Sequence, residues 1–278
     1  MITYPNAKIN LGLNVLRKRP DGYHDLETLF VPCTEICDTL EIVTGDDWSR
    51  TCAALQNSRT PMAQAISPGG KVMITIARKE GVDWDPLKDL TVRAYELLAV
   101  DYDLPPVKIY LEKKIPVGAG LGGGSADGAF ALRMLSELAG VGLSDRQLAA
   151  YAARLGSDCA FFVYNRPMFG SGRGEQLEEF PLEALNHLRI ELHIPEGVSV
   201  PTAAAYRGII PHIPAKPLRD ILQQDPRTWR EELHNDFEDT VFTAYPALQG
   251  IKERLYARGA LYAAMSGSGS AFFAIYQR

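Results

Sequence analysis

Residues 116–126 read Pro116-Val117-Gly118-Ala119-Gly120-Leu121-Gly122-Gly123-Gly124-Ser125-Ala126, and six of residues 118–128 are glycine. Glycine lets backbone N–H groups come close to a ligand and adopt positive φ. Phe130, Met134, Leu135 and Leu138 keep helical spacing directly after the loop. A helix start adds free N–H groups and the positive end of its dipole, so the pair makes a phosphate site. A plain turn needs one or two glycines, and the excess costs backbone entropy. One charged residue elsewhere could act on a hydroxyl beside that phosphate. Asp158 enters the apolar run Ala160-Phe161-Phe162-Val163, where a carboxylate is expensive unless paired. It could accept a hydroxyl proton. Lys8 sits on the polar side of an alternating strand, where a lysine is ordinarily solvated.

The loop departs from the common phosphate motifs. Gly118, Gly120 and Gly123 match G-x-G-x-x-G, but a second helix rather than a strand follows the first. Asp145 lies at the offset of a ribose-binding acid, yet at a helix start. A Walker loop would end Gly-Lys-Ser/Thr, whereas this one ends Gly124-Ser125-Ala126. Any cation for phosphoryl transfer must come from elsewhere in the chain.

The elements that must hold these groups follow from periodicity. Ala7–Leu16 alternates, with Ile9, Leu11, Leu13 and Val15 on one face and Lys8, Asn10 and Asn14 on the other, which predicts a half-buried strand. An Asp21-Gly22 turn leads to a second strand at 27–33, and further strands are expected at 40–44, 72–77, 107–111 and 160–164. Residues 45–70 are polar and without period, and are expected as loop. Helices are expected at 87–99, after the glycine loop, and from Ser144, where Ser144 and Gln147 fit a capping box. Beyond residue 180 a strand at 188–194 precedes helices near 201–208, 217–223, 233–242 and 244–257, then strands near 260–265 and 270–276. The mixture lacks regular strand–helix repeats and predicts an α+β fold. A length of 278 residues predicts about two domains, with a seam near Pro181 dividing 1–180 from 181–278.

Composition narrows the class. Hydrophobic residues are 46% and charged residues 23%, with no apolar run near the ~20 residues of a membrane span. A net charge of −5 argues against nucleic acid as a partner. The basic cluster Arg17-Lys18-Arg19 reads as a solvated hairpin tip. Cys33, Cys37, Cys52 and Cys159 form no Cys-x-x-Cys pair, and the N-terminus has no secretory pattern, so reduced thiols and a cytoplasmic location are expected.

Three segments now carry a family resemblance. Pro116–Ala126 with its Ala/Leu-rich helix resembles the second motif of the GHMP kinases. Ala7-Lys8-Ile9-Asn10-Leu11 resembles the first motif, and Ser266-Gly267-Ser268-Gly269-Ser270-Ala271 the third. Pro20-Asp21-Gly22-Tyr23-His24-Asp25, Leu155-Gly156-Ser157-Asp158 and Pro201-Thr202 resemble the branch whose substrate is a diphosphocytidylated methylerythritol. The resemblance implies a two-lobed α+β fold, a ribosomal-protein-like first lobe and a ferredoxin-like second. It implies ATP as phosphate donor with Mg²⁺, and a small-molecule substrate phosphorylated on its tertiary 2-hydroxyl without a phosphoenzyme. Residues 116–126 would hold ATP, with Lys113 near the adenosine. Asp158 would be the base and Lys8 its ionic partner. Asn10, Tyr23, His24, Thr202 and Tyr206 would hold substrate, with Tyr23, His24 and Tyr206 around the cytosine. Ser125 is the candidate metal ligand. Asp89 stands where an Asn-Leu pair is expected beside the adenine, and accepts hydrogen bonds only. A monomer or weak homodimer is expected. The rivals are another GHMP kinase, disfavoured by Tyr23, His24 and Tyr206, and a non-catalytic sensor of that fold, disfavoured by Lys8 and Asp158.

Overall fold

The structure, a computed structural model, describes residues 1–45 and 50–278. Along the chain the described strands and helices are β1 (Ile2–Thr3), β2 (Asn6–Lys18), β3 (His24–Cys37), β4 (Thr39–Thr44), α1 (Arg50–Gln56), β5 (Met62–Ile66), β6 (Val72–Arg78), α2 (Leu90–Ala99), β7 (Val107–Lys113), α3 (Gly123–Leu138), α4 (Asp145–Leu155) and α5 (Cys159–Tyr164). They continue with β8 (Met168–Ser171), β9 (Gln176–Glu179), β10 (Leu188–His193), α6 (Thr202–Arg207), α7 (Leu218–Leu222), α8 (Trp229–Glu232), α9 (Phe237–Ala244), α10 (Pro246–Ala257), β11 (Tyr262–Met265) and β12 (Phe272–Gln277). The α+β expectation holds. Two compact units form, each from discontinuous chain. Unit one is Met1–Ala7, Ile36–Pro116 and Gly122–Tyr164, and unit two is Lys8–Glu35, Val117–Leu121 and Asn165–Arg278.

Unit one holds a five-stranded sheet in the order β1-β4-β7-β6-β5, in which β6 and β7 run parallel. A parallel pair needs a long crossover, and α2 lies within it. Leu40, Ile42, Ile74, Ile76, Ile109 and Leu111 are fully buried in this sheet. Helix α3 packs against α2, α4 and α5. The Asp89 carboxylate accepts from Thr91 N–H at 3.0 Å and caps α2. The Ser144–Gln147 capping box opens α4 as expected.

Unit two holds two antiparallel sheets, β2-β3-β8-β9 and β10-β12-β11. Leu13 and Val15 of β2 join Phe237, Val241, Leu248, Met265 and Phe272 in one core.

Several expectations are corrected. Residues 45–70 contain α1 and β5 in addition to loop, and positions 46–49 lie outside the described residues. Residues 159–164 form helix α5 and not a strand, because a short buried apolar run carries no period of its own. The 87–99 helix is a 3-10 turn at Pro86–Lys88 followed by α2, divided at the Asp89 cap. The 233–242 helix starts only at Phe237, after α8 and a turn. Strand β2 is buried on both faces and not on one.

Candidate active site

That double burial decides the character of Lys8 and Asn10. Both side chains belong to unit two, with relative exposures of 3% and 2%. A buried ammonium needs acceptors. Lys8 Nζ donates to Asn10 Oδ1 at 2.5 Å and lies 5.5 Å from the Phe30 ring centroid. Asn10 Nδ2 donates to Thr28 Oγ1 at 3.2 Å, and that hydroxyl donates to Gly12 O at 2.5 Å. One orienting chain of hydrogen bonds thus aims Lys8 and Asn10 together, which two strand residues one repeat apart can do.

The first half of the glycine loop and the 266–271 segment meet β2 in the same unit. Lys8 N–H donates to Leu121 O at 2.9 Å, and Ser266 Oγ donates to Gly120 O at 2.8 Å. Ala271 N–H donates to Ala119 O at 3.1 Å. Gly120 has φ +78°, and a Cβ there would overlap the Ser266 carbonyl, so only glycine fits. Asn235 holds the segment from beneath, its Nδ2 donating to Met265 O and Gly267 O at 2.9 Å each. Thr202 Oγ1 and Ser268 Oγ share a hydrogen bond of 3.1 Å.

The aromatic residues fall into two groups. His24 and Tyr206 stack on one another, centroids 4.9 Å apart and planes 19° apart, with Phe237 edge-on to Tyr206. Burial lowers the His24 pKa, helped by the Lys18 charge, so its imidazole is neutral at pH 7. Tyr23 is 56% exposed and carries the Arg173 guanidinium over its ring at 4.9 Å.

Unit one holds the second half of the loop. Gly122 is left-handed at φ +74° and caps α3, whose first intrahelical bond runs from Ala126 N–H to Gly122 O at 2.9 Å. The N–H groups of Gly123, Gly124 and Ser125 precede that bond and form the donor end of a 16-residue helix. A Cβ on Gly124 would meet nothing nearer than Leu90 Cδ1 at 4.0 Å, which leaves a cradle that a side chain would fill. These donors fit a phosphate chain. Ser125 hydrogen-bonds the Cys159 thiol, whose pKa burial pushes up to about 12. Among the described residues no group of three His, Cys, Asp or Glu could hold a metal ion. Asp158 is partly buried in the turn between α4 and α5, where Ser157 Oγ donates to it at 3.4 Å.

Lys113, expected near the adenosine, has its ammonium between two buried carboxylates. It ion-pairs with Asp38 and, at 2.5 Å, with Asp127 Oδ2. Burial would lower the lysine pKa, but the two carboxylates outweigh it and raise it. Asp38 also accepts from Lys114 N–H at 2.5 Å and Ile115 N–H at 2.8 Å. Asp127 Oδ1 has no partner, and burial pushes this carboxyl well above its ordinary pKa. Asp127 lies in the first turns of α3, and a Cβ on Gly123 would come within 3.3 Å of Lys113 Nζ. The triad therefore underpins the start of the phosphate helix.

Asn235, Asp38, Asp127 and Arg173 escaped the sequence reading. Asp127 alone left a signal, as an acid inside the Ala/Leu-rich helix following the loop.

The model "GHMP kinases N terminal domain" matches residues 89–166, and "GHMP kinases C terminal" matches 218–278. A Bacteroides fragilis protein named 4-diphosphocytidyl-2-C-methyl-D-erythritol kinase is 44% identical over 99% of this chain and 92% of its own. A protein of the same name from Nitratidesulfovibrio vulgaris is 34% identical over 98% of this chain and 88% of its own. A crystal structure of 4-(cytidine 5'-diphospho)-2C-methyl-D-erythritol kinase superposes with a TM-score of 0.76 at 32% identity, covering 99% of this chain and 89% of that one. A homoserine kinase from Cytophaga hutchinsonii shares the fold at 16% identity, with a TM-score of 0.62 over 98% of this chain and 85% of that one.

Proposed function

The chain belongs to the GHMP kinase family, and on that premise we propose that it phosphorylates the 2-hydroxyl of 4-diphosphocytidyl-2-C-methyl-D-erythritol with ATP, giving the 2-phosphate and ADP. The observation that carries this reading is the junction of the three motifs. Lys8, Gly120 and Ser266 are hydrogen-bonded through one backbone cluster. The Gly-Tyr-His turn that distinguishes the cytidyl branch lies in the same unit, with His24 against Tyr206.

The donors at the start of α3 and the glycine backbone hold the ATP phosphates. Ser125, together with phosphate oxygens and water, would hold Mg²⁺, which would supply charge shielding between the phosphates. Asp158 accepts the proton of the attacking hydroxyl. The Lys8 ammonium, oriented by Asn10, offsets charge on the transferring group. Direct transfer follows, with no covalent enzyme intermediate. Tyr23 stacks on the cytosine, and His24, neutral at pH 7, offers its edge to the base. Thr202, tied to Ser268, and Tyr206 complete the substrate contacts. Residues 1–180 and 181–278 serve as the N- and C-terminal GHMP domains.

The test is ADP release with ATP, Mg²⁺ and the diphosphocytidyl substrate, beside mevalonate, homoserine and galactose. Turnover with the cytidyl substrate alone, reduced about 10²–10⁴-fold in Asp158→Asn with ATP binding retained, is the expected result. Turnover with another alcohol and none with the cytidyl substrate would overturn the substrate assignment. Full activity in Asp158→Asn would remove Asp158 as the base.

A further inference from the structure

We propose that Arg173, at the tip of the β8–β9 hairpin, is a positioning residue for the pyrimidine ring of the substrate, acting through Tyr23. The inference rests on the cytidyl reading above. Its basis is the contrast between two neighbouring aromatic rings. His24 has one ring face on Tyr206. Tyr23, one residue earlier, has the Arg173 guanidinium over one face at 4.9 Å and is otherwise 56% exposed. The face away from Arg173 is thus open to a planar partner.

Both sides of that contact are held in place. The Tyr23 N–H donates to Asp21 Oδ1 at 3.1 Å, and its carbonyl accepts from Arg19 N–H at 2.7 Å. Arg19 in turn pairs with Asp21 and Asp25. The hairpin tip is tied to β3 by Leu26 N–H donating to Gly172 O at 2.7 Å. Glu175 braces the tip, accepting from Arg173 N–H at 2.6 Å and facing its Nε at 3.6 Å. The Tyr23 backbone is therefore pinned, and its ring keeps only side-chain freedom. A guanidinium on one face removes much of that freedom before the base arrives. A wall ordered in advance costs less to use, so affinity rises without a new contact to the ligand. The charge also sits where only Arg or Lys would serve, because the attraction is to the ring quadrupole.

The experiment is calorimetric titration of CDP into wild type, Arg173→Ala, Arg173→Lys, Tyr23→Ala and the Arg173→Ala/Tyr23→Ala double variant, with steady-state kinetics alongside. A cation–π contact at an exposed site predicts a rise of about two- to fivefold in the CDP Kd and in KM for the cytidyl substrate for Arg173→Ala. KM for ATP and kcat are expected to hold, and Arg173→Lys to recover most of the loss. In the Tyr23→Ala background, Arg173→Ala is expected to add nothing, since the residue it acts through is gone. An equal loss in both backgrounds would mean Arg173 touches the ligand directly, and would overturn the proposal. So would wild-type affinity in Arg173→Ala. A wild-type protein that binds ATP but no CDP would bring down the cytidyl reading itself, a result separable from the other two.

Discussion

Lys113→Met removes the ammonium from between Asp38 and Asp127 while keeping the bulk of the side chain. The two carboxylates then face different fates. Asp38 retains the Lys114 and Ile115 N–H donors and remains a hydrogen-bonded anion. Asp127 loses the partner of its Oδ2, and its Oδ1 has none to begin with. A fully buried carboxylate in that position takes up a proton rather than stay charged. Keeping an Asp neutral at pH 7, when its unfolded pKa is about 3.9, costs about 1.36 × 3.1, or roughly 4 kcal/mol, a ceiling on the deficit because the wild-type carboxyl is itself already raised. That agrees with the roughly 3–5 kcal/mol typical of breaking a buried ion pair from one side. The sign of the pH dependence follows. Burial already holds this carboxyl above its ordinary pKa in wild type, and losing the ammonium raises it further, so the folded variant holds the extra proton over a wider pH range. Its stability falls as pH rises, and the deficit shrinks to about 1.5 kcal/mol at pH 5 by the same arithmetic. Urea unfolding of wild type and variant at pH 5 and pH 7 measures both deficits. The double variant Lys113→Met/Asp127→Asn carries no stranded carboxylate and should recover most of the loss at pH 7. A deficit below about 1 kcal/mol at pH 7, or one that does not narrow at pH 5, would refute the reasoning.

Gly120→Ala and Gly124→Ala should separate in kind. At Gly120 the positive φ alone costs about 1–3 kcal/mol and the methyl overlaps Ser266, so thermal unfolding should shift down clearly. At Gly124 the methyl has room and helix propensity improves by up to ~1 kcal/mol, so stability should hold or rise while KM for ATP increases. Asn235→Ala leaves the carbonyls of Met265 and Gly267, at and beside the third motif, without this donor, for an expected loss of about 2–3 kcal/mol in denaturant unfolding. His24 has a folded pKa below its unfolded value, so its contribution is present above about pH 6.5 and is lost as pH falls through the lower folded value. CDP affinity measured between pH 5 and 8 should weaken on the acid side, and His24→Asn should flatten that profile.

What could be read from the chain divides by the distance over which each fact is encoded. The β2 alternation, the Ser144–Gln147 cap and the glycine run are local, and each appears where its period or spacing puts it. The family motifs are short, so Lys8, Asn10 and the 266–271 segment could be singled out without knowing that Gly120 and Ser266 interlock. The burial of Lys8 was not legible, because alternation describes one strand and the second buried face is made by other parts of the chain. Lys113 illustrates the same limit in charge. It stands one residue after an acid and one before another Lys, and nothing nearby predicts an ion pair with Asp38, 75 residues earlier. Its partner Asp127 is 14 residues on, across the glycine loop that the pair supports. The family resemblance is what places Lys113, three residues before the loop, near the adenosine. In the fold its ammonium lies between two buried carboxylates and ties β7 to the start of α3, a placement set by contacts far apart in the chain that no local pattern encodes.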